Sequence, residues 1–144
     1  MEIIKVARIP PTLAKPDMTV HQAVQLMAEK QVGAVVVTNP GGQVIGIFTE
    51  RDYLLRIGLV CRDAQKTLLS EVMTTAVETE APNTSVEDAL ARMIRGHFRH
   101  LPIVDNDRLP LGIVSIRYLL MRRIGEKQAS LEVLAALAGA GGPG

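Results

Sequence analysis

The chain repeats itself. Gly46-Ile47-Phe48-Thr49-Glu50-Arg51-Asp52 returns as Gly112-Ile113-Val114-Ser115-Ile116-Arg117-Tyr118, an offset of 66 residues. The same offset carries Pro16 onto Pro82, Thr19-Val20 onto Ser85-Val86, Ala23 onto Ala89 and Met27 onto Met93. It also carries Val35 onto Leu101, Ile45 onto Leu111, Leu54 onto Leu120 and Arg56 onto Arg122, with no gap from residue 16 to residue 56. Residue class is kept at turn positions and apolar positions alike, so the chain is a duplication. One unit of about 60 residues buries little apolar area alone, whereas two can pack their sheets face to face and share a core.

Each copy reads as helix, strand, strand, helix. Thr19 and Gln22 stand as a capping box before the apolar helical stripe Val20, Ala23, Val24, Met27 and Ala28. Ser85 and Asp88 take the cap positions in the second copy, ahead of Val86, Ala89, Leu90, Met93 and Ile94. The β-branched run 34–38 and its counterpart 101–104 read as strands, each followed by a turn, Asn39–Gly42 or Asp105–Asp107. The next strands, 44–48 and 110–114, run straight into helices opened by Thr49 and Ser115. A short strand is expected before each unit, around Ile3–Ala7 and Ala76–Thr79. Gly58–Ser70 reads as a linker with a short helix starting near Thr67, Ser130–Leu137 as a further helix, and 138–144 as a frayed end. The division is therefore 1–66, 67–126 and 127–144.

Composition narrows the function classes. In 144 residues, 47% are hydrophobic and 22% charged, ordinary for a globular protein and too apolar for a disordered one. No apolar run approaches the roughly 20 residues that cross a bilayer. The first residues lack the pattern of a signal peptide, and the one cysteine, Cys61, excludes an internal disulfide, so a cytoplasmic location is expected. A net charge of +1 and only two Phe, two Tyr and no Trp argue against nucleic acid as a partner.

The repeated element with chemical content is Gly-apolar-x-Thr/Ser-x-x-Asp. A hydroxyl at a strand end that opens a helix lies beside free backbone N–H groups, a setting suited to phosphate. Asp52, three residues on, shares a face of the first turn with Thr49 and could accept both hydroxyls of a ribose. The same pattern is equally a helix N-cap with an acidic first turn. Spacing alone leaves these two readings level. Recurrence of the unit, which would create a cleft between packed copies, favours the ligand reading.

These motifs resemble a tandem pair of cystathionine-β-synthase-type (CBS) motifs, a Bateman module. The resemblance spans roughly residues 3–123. It rests on 18–23, 32–37 and 46–52 in the first copy, and on Glu71-Val72-Met73, Arg99–Asp105 and Gly112–Ser115 in the second. It implies a mixed α/β (α+β) fold of two motifs, each a small three-stranded sheet with two helices, related by a pseudo-two-fold axis. It further implies a sensor without catalysis. Such a module binds AMP, ADP or ATP, or S-adenosylmethionine or NAD(H), between its motifs, pairs into a disc-shaped homodimer, and acts on an effector protein that the sequence does not name.

Carried onto this chain, the resemblance puts Thr49 on phosphate and Asp52 on the ribose, with Arg51 as a further phosphate contact. Thr84, Phe98, Arg99 and His100 would line the base and sugar side. The second copy departs from the pattern. Ser115 and Arg117 remain, but Tyr118 stands at the ribose position, where a phenol cannot hold a diol as a carboxylate does. The pocket of Ser115, Arg117 and Tyr118, with Met18, Gly33 and Ala34 opposite, is expected to be empty, altered or filled by Tyr118. One nucleotide pocket per chain is therefore expected.

Other residues carry less. His97 and His100 sit at a helix-to-strand junction that does not aim both imidazoles at one point, and no metal site is expected. Cys61 has no histidine nearby in sequence to activate it. Arg95, Arg99, Arg117, Arg122 and Arg123 are offset by Glu87, Asp88, Asp105 and Asp107. The leucines after residue 130 fit a dimer contact, a docking helix or a cover for the core. Besides the sensor, a structural dimer with degenerate pockets stays open, and no pairing of general base with nucleophile suggests an enzyme.

Overall fold

The structure, a computed structural model, describes residues 1–138. A 3-10 turn at Ile3–Val6 precedes β1 (Leu13–Ala14), α1 (Val20–Lys30), β2 (Ala34–Thr38), β3 (Val44–Thr49) and α2 (Glu50–Tyr53). The last continues as a π-helical turn, Leu54–Gly58. Then follow α3 (Leu69–Val72), α4 (Val86–Gly96), β4 (His100–Val104), β5 (Pro110–Ser115) and α5 (Ile116–Leu137).

Local chemistry accounts for most boundaries. Thr19 and Gln22 form the reciprocal capping box at α1, while Ser85 accepts from the Asp88 N–H to open α4. Both helices stop at a residue in the left-handed region, Gln31 and its counterpart His97. β2 and β3 pair antiparallel, as do β4 and β5, with register irregularities at the equivalent positions Val37/Thr38 and Ile103/Val104.

Three sequence expectations need correction. Residues 3–6 are a 3-10 turn, and the third strand of the first sheet is instead Leu13–Ala14, parallel to β2. In the second sheet the matching strand shrinks to one parallel bridge, Glu80 to Ile103, and 76–79 form no strand. Proline at 102 removes the ladder donor that Val36 supplies in the first sheet, and Arg92 holds the Glu78 and Glu80 side chains and the Thr79 carbonyl. Burial disfavours the Arg92 charge, but the hydrogen bonds and charges of Glu80 and Glu78 outweigh it and raise its pKa. Third, 130–137 is no separate helix, because α5 runs unbroken from Ile116. The frayed end expected over 138–144 lies, beyond Ala138, outside the described residues.

The core is built by exchange. Ile3 and Val6 pack with Ala89, Leu90, Met93 and Leu101 of the second copy. Their counterparts Leu69 and Val72 pack with Val20, Ala23, Met27 and Val35 of the first. The bridges repeat the reciprocity: Glu2 to Ser85 and Arg8 to Ile113 on one side, Leu68 to Thr19 and Thr74 to Ile47 on the other. A third cluster, Ala34, Val36, Val44, Ile47, Val104 and Ile113, joins the two sheets face to face.

Candidate functional site

Thr49 ends β3 and caps α2. Its hydroxyl accepts from the Asp52 N–H at 3.2 Å, and its own N–H donates to Asp52 Oδ2 at 2.9 Å. The other carboxylate oxygen accepts from the Thr74 hydroxyl at 3.3 Å and lies 3.8 Å from Arg56 Nε. With 13% of its side chain exposed, Asp52 is a half-sequestered carboxylate held by two hydroxyls, one N–H and one guanidinium. Arg56 is itself fixed by the carbonyls of Val72 and Met73. Neither Thr74 nor Arg56 was singled out from sequence. The signal lay in the repeat, whose pairing continues upstream to Glu71-Val72-Met73, but only the segment exchange brings Thr74 beside Asp52.

On the other flank, the Glu50 N–H donates to the Gly33 carbonyl at 3.0 Å. A Cβ on Gly33 would stand 2.5 Å from Glu50 Oε1 and 3.2 Å from His100 Nε2, so a larger residue would have to displace the Glu50 carboxylate and crowd the imidazole. His100 of the second copy therefore reaches the Thr49 end of the first. Burial pulls its pKa below the ordinary imidazole value; the Glu50 carboxylate opposes this and the Arg99 charge adds to it. Arg51 is exposed in the first turn of α2.

The remaining candidates are placed as follows. Thr84 is half-buried and donates to Glu80 Oε2 at 2.9 Å; Phe98 packs on the second core and against Gly96. Arg99 is exposed, its carbonyl accepting from the Ile116 N–H at 2.9 Å, which ties it to the Ser115 end. No direct contact joins Thr84, Phe98 or Arg99 to Thr49 or Asp52 among the described interactions. Met18 packs on the first core, and Ala34 is buried in the inter-sheet cluster.

At Ser115 the hydroxyl still accepts from the Tyr118 N–H, at 3.3 Å, but the side chain at 118 returns no bond. Tyr118 is 52% exposed and Arg117 is exposed, so the phenol does not fill a cleft within the chain. Among the described residues no group of three or more His, Cys, Asp or Glu is placed to hold a metal ion. His97 lies in the αL cap of α4, apart from His100 on β4. Cys61 is exposed.

Two strand-to-helix junctions of the same design, each fed by a segment exchanged from the other unit, bear on what the molecule is. A family model described as the CBS domain matches twice, over residues 3–58 and 69–125. The chain belongs to the CBS-domain family. The Bacillus subtilis CBS domain-containing protein YhcV is 39% identical over 114 residues, 79% of each chain. The mitochondrial CBS domain-containing protein CBSX3 of Arabidopsis thaliana is 36% identical over 83% of this chain and 60% of its own. A putative signal-transduction protein with CBS domains from Burkholderia ambifaria matches with a TM-score of 0.78 and 31% identity, covering 87% of this chain and 95% of that one. The CBS domain pair of protein MJ0100, solved with 5′-methylthioadenosine and S-adenosylmethionine, has the same fold, with a TM-score of 0.77 and 22% identity over 88% and 98%. The chain is thus a CBS-domain pair, a regulatory module of mixed α/β fold. Among its described residues no helix is long and apolar enough to cross a membrane.

Proposed function

We propose that this CBS pair senses an adenosine-containing ligand, AMP, ADP or ATP, with S-adenosylmethionine or NAD(H) as further candidates. The ligand lies against Thr49 and Asp52. The observation that carries this reading is the half-sequestered Asp52 carboxylate at the one junction that keeps both hydroxyl and acid, with His100 of the opposite unit reaching the same end. The neighbour solved with two adenosine compounds supports the ligand class. Thr49 and Arg51 take phosphate, Asp52 takes the ribose, and Thr84, Phe98, Arg99 and His100 line the base and sugar side. The Ser115 site, with Arg117, Tyr118, Met18, Gly33 and Ala34, holds no nucleotide. The module works as a homodimer on an effector protein and performs no catalysis.

Calorimetric titration with AMP, ADP, ATP, S-adenosylmethionine and NADH tests this on wild type and Asp52→Ala. One ligand should bind once per chain, and the variant should lose at least tenfold in affinity. No binding by any of the five would overturn the sensor. A second reading has its own support: every contact of Asp52 in the structure serves the helix cap, Arg56 one turn on, or Thr74 of the exchanged segment. If those contacts are its whole purpose, the pair is a structural scaffold, and Asp52→Ala would change stability alone.

A further inference from the structure

The last three turns of α5 lie beyond the second matched motif, which ends at residue 125. Their leucines do not cover the core: Leu131, Leu134 and Leu137 are 66%, 62% and 80% exposed. Three bare leucines within seven residues at the end of one helix make an apolar patch that calls for a partner surface. Position decides which. At about 100° per residue, Leu131 and Leu134 fall within roughly 60° of Leu120, on one stripe. Leu120 and Met121 are themselves 41% and 60% exposed, and their counterparts Leu54 and Leu55 are 65% and 49% exposed. The pseudo-two-fold therefore presents two equivalent apolar pairs, a pattern that a second copy can meet by two-fold symmetry.

Area points the same way. Leu54, Leu55, Leu120 and Met121 offer on the order of 450 Å², about half of the ~800 Å² per partner in a stable interface. Leu131 and Leu134, on that stripe, add roughly 250 Å², and Leu137, at the helix end and about 100° round from it, brings the total close to that size.

We propose that the extension of α5 past the second motif is a clasp for a second copy of this chain, packing Leu131, Leu134 and Leu137 on the partner. The inference rests on the homodimer proposed above and adds the segment that holds it.

Sedimentation velocity across about 1–100 μM tests it on the full chain. Wild type should be dimeric. Leu131→Glu with Leu134→Glu should weaken the dimer at least tenfold, as should the paired change to Ala, which keeps helix propensity high and guards against misfolding. Circular dichroism and melting of the resulting monomer should show the folded pair. Leu54→Glu with Leu120→Glu is the control for the face itself. If that variant alone dissociates, the dimer stands and the clasp falls. A wild type monomeric throughout would overturn both.

Discussion

At positions 52 and 118 the same backbone task meets two different side chains. Asp52 returns the Thr49 bond and closes a capping box, whereas Tyr118 leaves the Ser115 cap one-sided. Tyr118→Asp should close the second box and place a negative charge in the first turn of a long helix. A gain of about 0.5–1 kcal/mol is expected, readable as a rise in Tm of roughly 2–4 °C. Asp52→Ala should lose about 1–2 kcal/mol through the cap and the Thr74 contact, whatever its effect on ligand, and chemical denaturation measures that separately. His100 gives a pH signature. Its folded pKa lies below the unfolded value of about 6.5, so above that pH both states are neutral and its contribution is whole. As pH falls through 6.5 the unfolded chain takes the proton first, and stability drops until the folded pKa is passed. Melting curves from pH 8 to 5 should therefore fall less steeply for His100→Asn than for wild type. Equal slopes would deny the burial effect.

Among the elements, those whose signals are local were legible in the sequence. The capping box at Thr19, the β-branched run 34–38 and the glycine-led strand into Thr49 all form where their residues place them. The leading segments were legible only in part. The helix expected near Thr67 forms as Leu69–Val72, whereas Ile3–Val6, apolar enough for a strand, takes a 3-10 turn set by the second-copy core that receives it. For the same reason the hydroxyl and acid at 49 and 52 could be read from spacing, while Thr74, Arg56 and the reach of His100 towards Gly33 could not. Exchange has a test of its own. Ile3 is fully buried among second-copy residues, and Ile3→Ala should cost about 2–4 kcal/mol. Native-state hydrogen exchange should show protection lost across both units, most of all in α4, β4 and β5. Loss confined to the first unit would contradict the packing.

For the molecule as a whole, two half-cores are tied by the inter-sheet cluster and by both exchanged segments. Neither half can open without stripping Ile3 and Val6, or Leu69 and Val72, from the other. Unfolding should therefore be a single transition, with coincident fluorescence-free probes such as far-ultraviolet dichroism and scanning calorimetry giving equal van't Hoff and calorimetric enthalpies. Two resolved transitions would mean that the units are energetically separate.

The crossing of the leading segments bears on ancestry. A gene encoding one such unit would make a chain whose first residues fit only the core of another molecule, so it would fold as an interlocked pair from the outset. Joining two copies end to end converts that encounter between molecules into one within a chain, free of dilution. It also releases the two halves to diverge, and Asp52 and Tyr118 record how far apart they have drifted.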